Sequence, residues 1–326
     1  MAISYRKRAE LLKDTAVSTH ELEHIIKLAL RAPSVADRKP WQFRVVGNVI
    51  ELYTTPRGDI ASNLRMRYVS GGALLQYVRL IIRNKGRKEI IQMFPRLDNP
   101  DLMAYIRMNG DYRPTDEEQS LYSVLRGELP TGEINKKWCR ENFKKAIRQT
   151  GKQTGTTIIQ FNSDTDPQLT GKLDRYVEAQ KSDNIKAIRQ LADEMKLKKI
   201  DGTTGLEQLC SFNNVDFSDG MLVCGIEEMQ ENTQSEYVLI NANVENSYSW
   251  IAAGEAMARV HLYLKQCGLF GMVVLPIIED PEARAWLAEN MPGTGWPQIL
   301  LKLGRIKKTV DHSPGNINEF IRKPGL

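Results

Sequence analysis

Val69 to Gly86 reads VSGGALLQYVRLIIRNKG, and Ile251 to Gly268 reads IAAGEAMARVHLYLKQCG. At one constant offset, Gly72 falls on Gly254, Val78 on Val260, Leu80 on Leu262 and Gly86 on Gly268. Each run is long, apolar on most of its circumference and stopped by glycine, the residue that tolerates positive φ after a helix. Just upstream, Tyr68 pairs with Trp250. Downstream, FPRLDNPDLMAYI (Phe94–Ile106) pairs with VLPIIEDPEARAWL (Val274–Leu287), setting Pro95 on Pro276, Pro100 on Pro281 and Tyr105 on Trp286. Two amphipathic helices can resemble each other by chance, but prolines paired at nearly the same offset argue for duplication. The expectation is two related halves, each with a strand, a long buried helix and a helix opening at Asn99-Pro100 or Asp280-Pro281. Two copies are too few for a solenoid. Packed face to face, they reproduce a two-fold dimer inside one chain.

Before the first repeat, Thr19 to Ala32 has the pattern of a helix, with Ser18 as cap, Glu21 completing a capping box and Leu22, Ile25, Ile26 and Ala29 on one face. Pro33 and Ser34 end it. Phe43–Val46 and Val49–Tyr53 read as a strand pair around Gly47-Asn48. In the second half, Thr157–Phe161 and Tyr237–Ile240 read as strands separated by a polar insert, Asn162 to Ser235. Leu169–Glu178 and Ile185–Met195 within it have helical periodicity. The fold class expected is α+β, with residues 1–115 as the first half and 116–326 as the second, carrying the insert 162–235.

The 326 residues are 41% hydrophobic and 26% charged, a composition that supports a large folded core. The formal charge of +5 is the difference of 45 basic and 40 acidic residues that are interleaved along the chain. Basic clusters at Arg83–Lys88, Lys196–Lys199 and Arg305–Lys308 are short and lack interleaved aromatics, which argues against a nucleic-acid partner. There is no signal core and no apolar run of about 20 residues, so no membrane association is expected. Cys139, Cys210, Cys224 and Cys267 have no metal spacing and read as reduced thiols of a cytoplasmic protein. His20-Glu21-Leu22-Glu23-His24 is a literal HExxH. Its histidines share a face with Glu23 and Lys27, opposite the apolar one, and no third ligand is evident, so no metal site is expected.

LALRAPSVADRKPWQF (Leu28–Phe43) resembles the APS-x-x-N-x-Q-PW signature of the FMN-dependent nitroreductase superfamily. GTGWPQILLKLGR (Gly293–Arg305) resembles that fold's closing strand. The run from ELYTTP (Glu51–Pro56) through the first long helix, LDNPDLMAYI and AAGEAMARV is similar to the fused, Acg-type subfamily, in which two nitroreductase units share a chain. The resemblance implies a nitroreductase-like fold with long central helices and antiparallel sheets, one FMN per chain at the junction of the halves, and a monomer. It places Ser34 and Asp37 near the flavin and ribityl chain, with Lys39 near the pyrimidine edge. Arg126 and Arg305 would serve the phosphate, as forked guanidinium donors suit a dianion. The Pro276 loop would flank the ring system. Asp37 and Lys39 stand where the family has Asn and Gln: an aspartate accepts but cannot donate, and a lysine favours an anionic reduced flavin.

The second site is expected to be lost. Ala146–Thr157 has no counterpart of the signature, and no arginine after Gly110 answers to Arg305. The function implied is hydride transfer from NAD(P)H through FMN to a nitro or quinone-like small molecule. The alternative is an FMN-sequestering protein with little turnover, its flavin covered by the 162–235 insert.

Overall fold

The computed structural model describes residues 18–35, 39–55, 63–96, 98–128, 136–174, 235–279, 281–291, 293–305 and 317–322. The expected helix at residues 185–195 lies outside them, as does most of the insert. The chain is a mixed α+β structure. The first half runs α1 (Thr19–Ala29), β1 (Trp41–Val46), β2 (Val49–Thr54), α2 (Leu64–Asn84), β3 (Arg87–Met93) and β4 (Leu102–Asp111). The second runs α3 (Asp116–Leu125), α4 (Lys136–Thr154), β5 (Thr156–Asn162), β6 (Glu236–Ala242), α5 (Ser247–Gln266), β7 (Leu269–Val273), α6 (Leu275–Glu279), α7 (Pro281–Asn290) and β8 (Trp296–Arg305).

The two four-stranded antiparallel sheets have matching orders, β1-β2-β4-β3 and β5-β6-β8-β7. Even their irregularities correspond: the second strand of each shifts register near its end, at Leu52/Tyr53 and at Ile240/Asn241. Between the sheets, α2 and α5 cross backbone to backbone. A Cβ on Gly72 would lie 2.0 Å from the Ile251 carbonyl oxygen, and one on Gly254 would lie 1.9 Å from that of Val69. The repeated glycine is therefore what lets the two long helices touch. Val69, Ala73, Leu74, Ala253, Met257 and Val260 are buried around it.

Local chemistry sets the helix ends. Ser18 Oγ accepts from Glu21 N (3.1 Å), while the Glu21 carboxylate lies 3.7 Å from Lys85 Nζ. α1 stops at Ala29 rather than Ala32, its last N–H groups bonding back at Leu30–Ala32 before Pro33. α2 starts five residues sooner than the apolar pattern suggests, because Asn63 Oδ1 accepts from Met66 N (3.1 Å) and caps it.

One expectation fails. The segment after Asn99-Pro100 is not a helix but β4, a central strand paired with both β2 and β3. Its residues alternate, with Ala104, Ile106 and Met108 inward and Tyr105 and Arg107 partly exposed, which is strand periodicity. The matching segment after Asp280 is helix α7, opened by Pro281 at its first position. The counterpart of β4 is β8. The pairings of Pro100 with Pro281 and Tyr105 with Trp286 are thus not structural equivalences. The true correspondence ends near Phe94 and Val274, whose N–H groups donate to Met103 O and Leu300 O, both at 2.8 Å. After that point the second half interposes α6 and α7.

The halves are also laced together at the edge of the first sheet. Phe43 N donates to Phe320 O and Arg322 N to Phe43 O, both at 2.7 Å, so residues 320–322 cover β1 in parallel. Covering an edge strand removes a template for unwanted pairing.

Candidate functional site

Residues 30–40 join α1 to β1 and carry the signature. Ser34 is fully buried, and its Oγ accepts from Lys39 N (3.0 Å). Val35 N donates to Ser70 Oγ (3.0 Å) on α2, and that hydroxyl donates to Met66 O (2.9 Å). Lys39 takes φ +44°, a left-handed conformation costly for a non-glycine residue. The Ser34 contact and a bond from Trp41 N to Lys39 O (2.8 Å) hold it there. Ser34 is accordingly a loop-building residue, with its side chain buried rather than presented to a ligand. Asp37 lies outside the described residues.

Where this loop enters the sheet, Trp41 and Thr54 face each other across β1 and β2. Among the described residues, Trp41 Nε1 and Thr54 Oγ1 are buried without a hydrogen-bond partner. Unpaired buried polar groups of this kind are costly. Trp41 is fully buried, and nothing in the sequence signalled the unmet indole N–H.

The other expected residues come from the second half. Pro276 lies on α6, which is tied to the first half by Arg65 of α2. The buried Arg65 guanidinium donates to Ile278 O and, at 3.2 Å, to Gln298 O. Burial, and then the nearby Arg284 charge, lower its pKa to about 10. Asn63 Nδ2 adds a bond to Glu279 Oε1 (3.4 Å). Arg65 and Ser70 are five residues apart on one helix, roughly 8 Å of rise. The first turns of α2 therefore hold the signature loop on one side and α6 on the other.

Arg305 ends β8 opposite Leu269. It lies five residues beyond Leu300, roughly 17 Å along the strand.

Arg126 is less free than the resemblance implies. It caps α3, its carbonyl accepts from Arg31 NH1 (2.8 Å), and its half-exposed guanidinium pairs with Glu128 (2.7 Å). It therefore abuts the end of α1, but with its charge already matched by a carboxylate.

No protein-family model matches this chain, and no curated protein sequence matches it.

The symmetric position in the second half differs in two ways. α4 reaches β5 through Gly155 alone (φ +70°), leaving no room for a loop like 30–40. Asp111, paired with Arg87, holds the strand position that Arg305 holds opposite Leu269. An acid stands where the first arrangement has a base.

HExxH behaves as a surface helix face. His20, Glu23, His24 and Lys27 are exposed while Leu22, Ile25, Ile26 and Ala29 are buried. Among the described residues no group of His, Cys, Asp or Glu could hold a metal ion, and no helix is long and apolar enough to cross a membrane.

The sequence reading missed two polar features at the junction of the halves. One is Arg65, whose helix position carries no special spacing. The other is an ion network in which Arg79 pairs with Glu89 (2.8 Å) and Glu255 (2.9 Å), and Arg83 pairs with Glu89 and Glu118 (2.6 Å each). The arginines of α2 are plain in the sequence, but not their partners on α3, β3 and α5.

Proposed function

We propose that this chain arose by duplication of a nitroreductase-like unit and binds one FMN at the half-site that keeps the 30–40 loop. It would then act as an NAD(P)H-dependent oxidoreductase on a nitro or quinone-like acceptor. The observation that carries this reading is an asymmetry on a symmetric frame. Two sheets of matching order and a reciprocal glycine crossing present two equivalent positions, and the signature loop and strand-end arginine occur at only one.

The residues present suit such a group in their donor chemistry. Among the described residues Trp41 Nε1 and Thr54 Oγ1 are unmet donors beside the loop, and an arginine, the residue type that suits a phosphate, ends β8. When bound, FMN supplies the hydride chemistry, and the protein supplies position and electrostatics. The protein's own tasks are then local. Ser34 and Ser70 fix the loop, Arg65 fixes α6 against α2, and Lys39 at the loop's end brings positive charge.

The test is an absorption spectrum of the purified protein, followed by anaerobic NADPH. The expected result is a flavin band near about 450 nm, one FMN per chain, bleached by NADPH and restored by a nitroaromatic or quinone. A colourless protein that takes up no FMN overturns the proposal. Bound FMN that never bleaches leaves a sequestering role, and two FMN per chain would show that the second position is intact.

A further inference from the structure

Residues 320–322 cover β1 next to the strained end of the signature loop. Lys39 holds φ +44° just before Trp41 opens β1, and such a conformation persists only where its surroundings enforce it. On the β2 side the loop exit is fixed by Thr55 N, which donates to Pro40 O (3.0 Å), and by the pairing of Trp41 with Thr54. On the other side the support comes from the second half of the chain. Phe320 is buried in the common core, and its carbonyl accepts from Phe43 N. Arg322 Nε donates to Gln42 Oε1 (2.9 Å), and its guanidinium carbon lies 4.1 Å from the centre of the Tyr53 ring. Gln42 and Tyr53 face each other across β1 and β2, so one arginine contacts both strands beside the loop exit. The ring is fixed in turn: Tyr53 Oη donates to Glu51 (2.8 Å), whose carboxylate also pairs with Arg44 Nε (2.6 Å).

The second sheet supplies a comparison. There α4 enters β5 through Gly155 alone, with no loop to hold, and among the described residues no strand or bridge covers the outer edge of β5. Loop and strap occur together, at the same position of the frame.

We propose that residues 317–322 are a detachable strap that positions the 30–40 loop, with Arg322 as the positioning residue. Bound, the strap gives β1 a neighbour on both sides at Phe43, so the strand start does not fray and Lys39 stays in its left-handed turn. Released, it leaves β1 an open edge, Gln42 and Phe43 lose their outer partners, and the strained turn relaxes. A short segment held on a sheet edge belongs to the low-stability end of a structure, which opens without global unfolding. The strap therefore sets how far the loop is preformed. Its bearing on FMN rests on the function proposed above; its bearing on the loop does not.

Hydrogen–deuterium exchange of the full chain, read by mass spectrometry, tests this. Phe320→Asp puts a carboxylate where the core holds a ring, and Arg322→Ala removes the contact with Gln42 and Tyr53. In both, peptides covering residues 30–43 should exchange about tenfold faster than in wild type or more, Phe320→Asp the more strongly. Peptides from β6 and α5 should keep their wild-type rates. Arg322→Lys, which keeps the charge without the planar fork, should fall between Arg322→Ala and wild type. Unchanged loop exchange in Phe320→Asp, or equal acceleration across the whole chain, would overturn the proposal. Where wild type binds FMN, the same variants should raise its Kd about tenfold, as the preformed fraction of the loop falls. An unchanged Kd with a loosened loop would overturn the positioning role. A wild type that takes up no FMN removes the flavin reading, and the exchange rates alone then decide the strap.

Discussion

Replacing Gly254 with alanine puts a methyl carbon where the Val69 carbonyl oxygen already lies. The new Cβ would sit 1.9 Å from that oxygen and 2.9 Å from Ala73 N, both backbone atoms that no rotamer change can move. Relief requires α2 and α5 to separate by roughly 1 Å, a gap that forfeits a quarter to a half of each dispersion contact along the crossing. Overpacking of this kind costs about 1–3 kcal/mol, and more where backbone meets backbone. Alanine's helix propensity returns about 1 kcal/mol, so a net loss of about 2 kcal/mol is expected at the upper end of that range. For a chain of this length that lowers the melting temperature by roughly 3 °C. Gly171→Ala is the control. It lies in the helical stretch 167–174 with nothing within 4 Å of a new Cβ, and it should be neutral or slightly stabilising. The double variant Gly72→Ala/Gly254→Ala should cost much less than the sum of the singles, since one separation relieves both contacts. Circular-dichroism melts and urea titrations measure all four. A Gly254→Ala melt within about 1 °C of wild type would mean that the long helices do not meet at these glycines.

His261, on α5, is fully buried with neither ring nitrogen partnered among the described residues, and burial, aided by Lys265, holds its pKa well below the usual value. Below about pH 6.5 the unfolded chain takes up a proton that the folded one refuses, so stability falls with acid by about 1 kcal/mol per pH unit. His261→Phe should flatten that limb relative to wild type in urea titrations between about pH 6.5 and 5; parallel curves for the two proteins would place the acid sensitivity elsewhere. Arg305→Ala should weaken FMN binding at least tenfold, since a charge-assisted contact contributes about 1.5–3 kcal/mol; unchanged retention through gel filtration would remove Arg305 from the phosphate.

Local patterns decided a good deal. The serine and glycine punctuation of α1 and α2, the strand pair β1 and β2 around its glycine turn, and the glycine shared by both long helices are properties of nearby residues, and each appears in the structure close to where the sequence put it. The exposure of the HExxH face followed from helical periodicity alone. Other features depend on residues distant along the chain. Phe94–Ile106 and Val274–Leu287 share prolines and apolar spacing, yet one is a central strand and the other two short helices. Their difference is set by what lies on either side: β2 and β3 flank β4, whereas α7 packs outside β8. For the same reason the sequence could nominate Ser34 but could not show that its hydroxyl is spent on Lys39, or that Arg126 is matched by Glu128. Nor could it show that the carbonyls of α6 and β8 are held by Arg65. Hydrogen-bond partners and burial are settled by which elements become neighbours, and proximity in space is the one quantity that spacing along a chain does not contain.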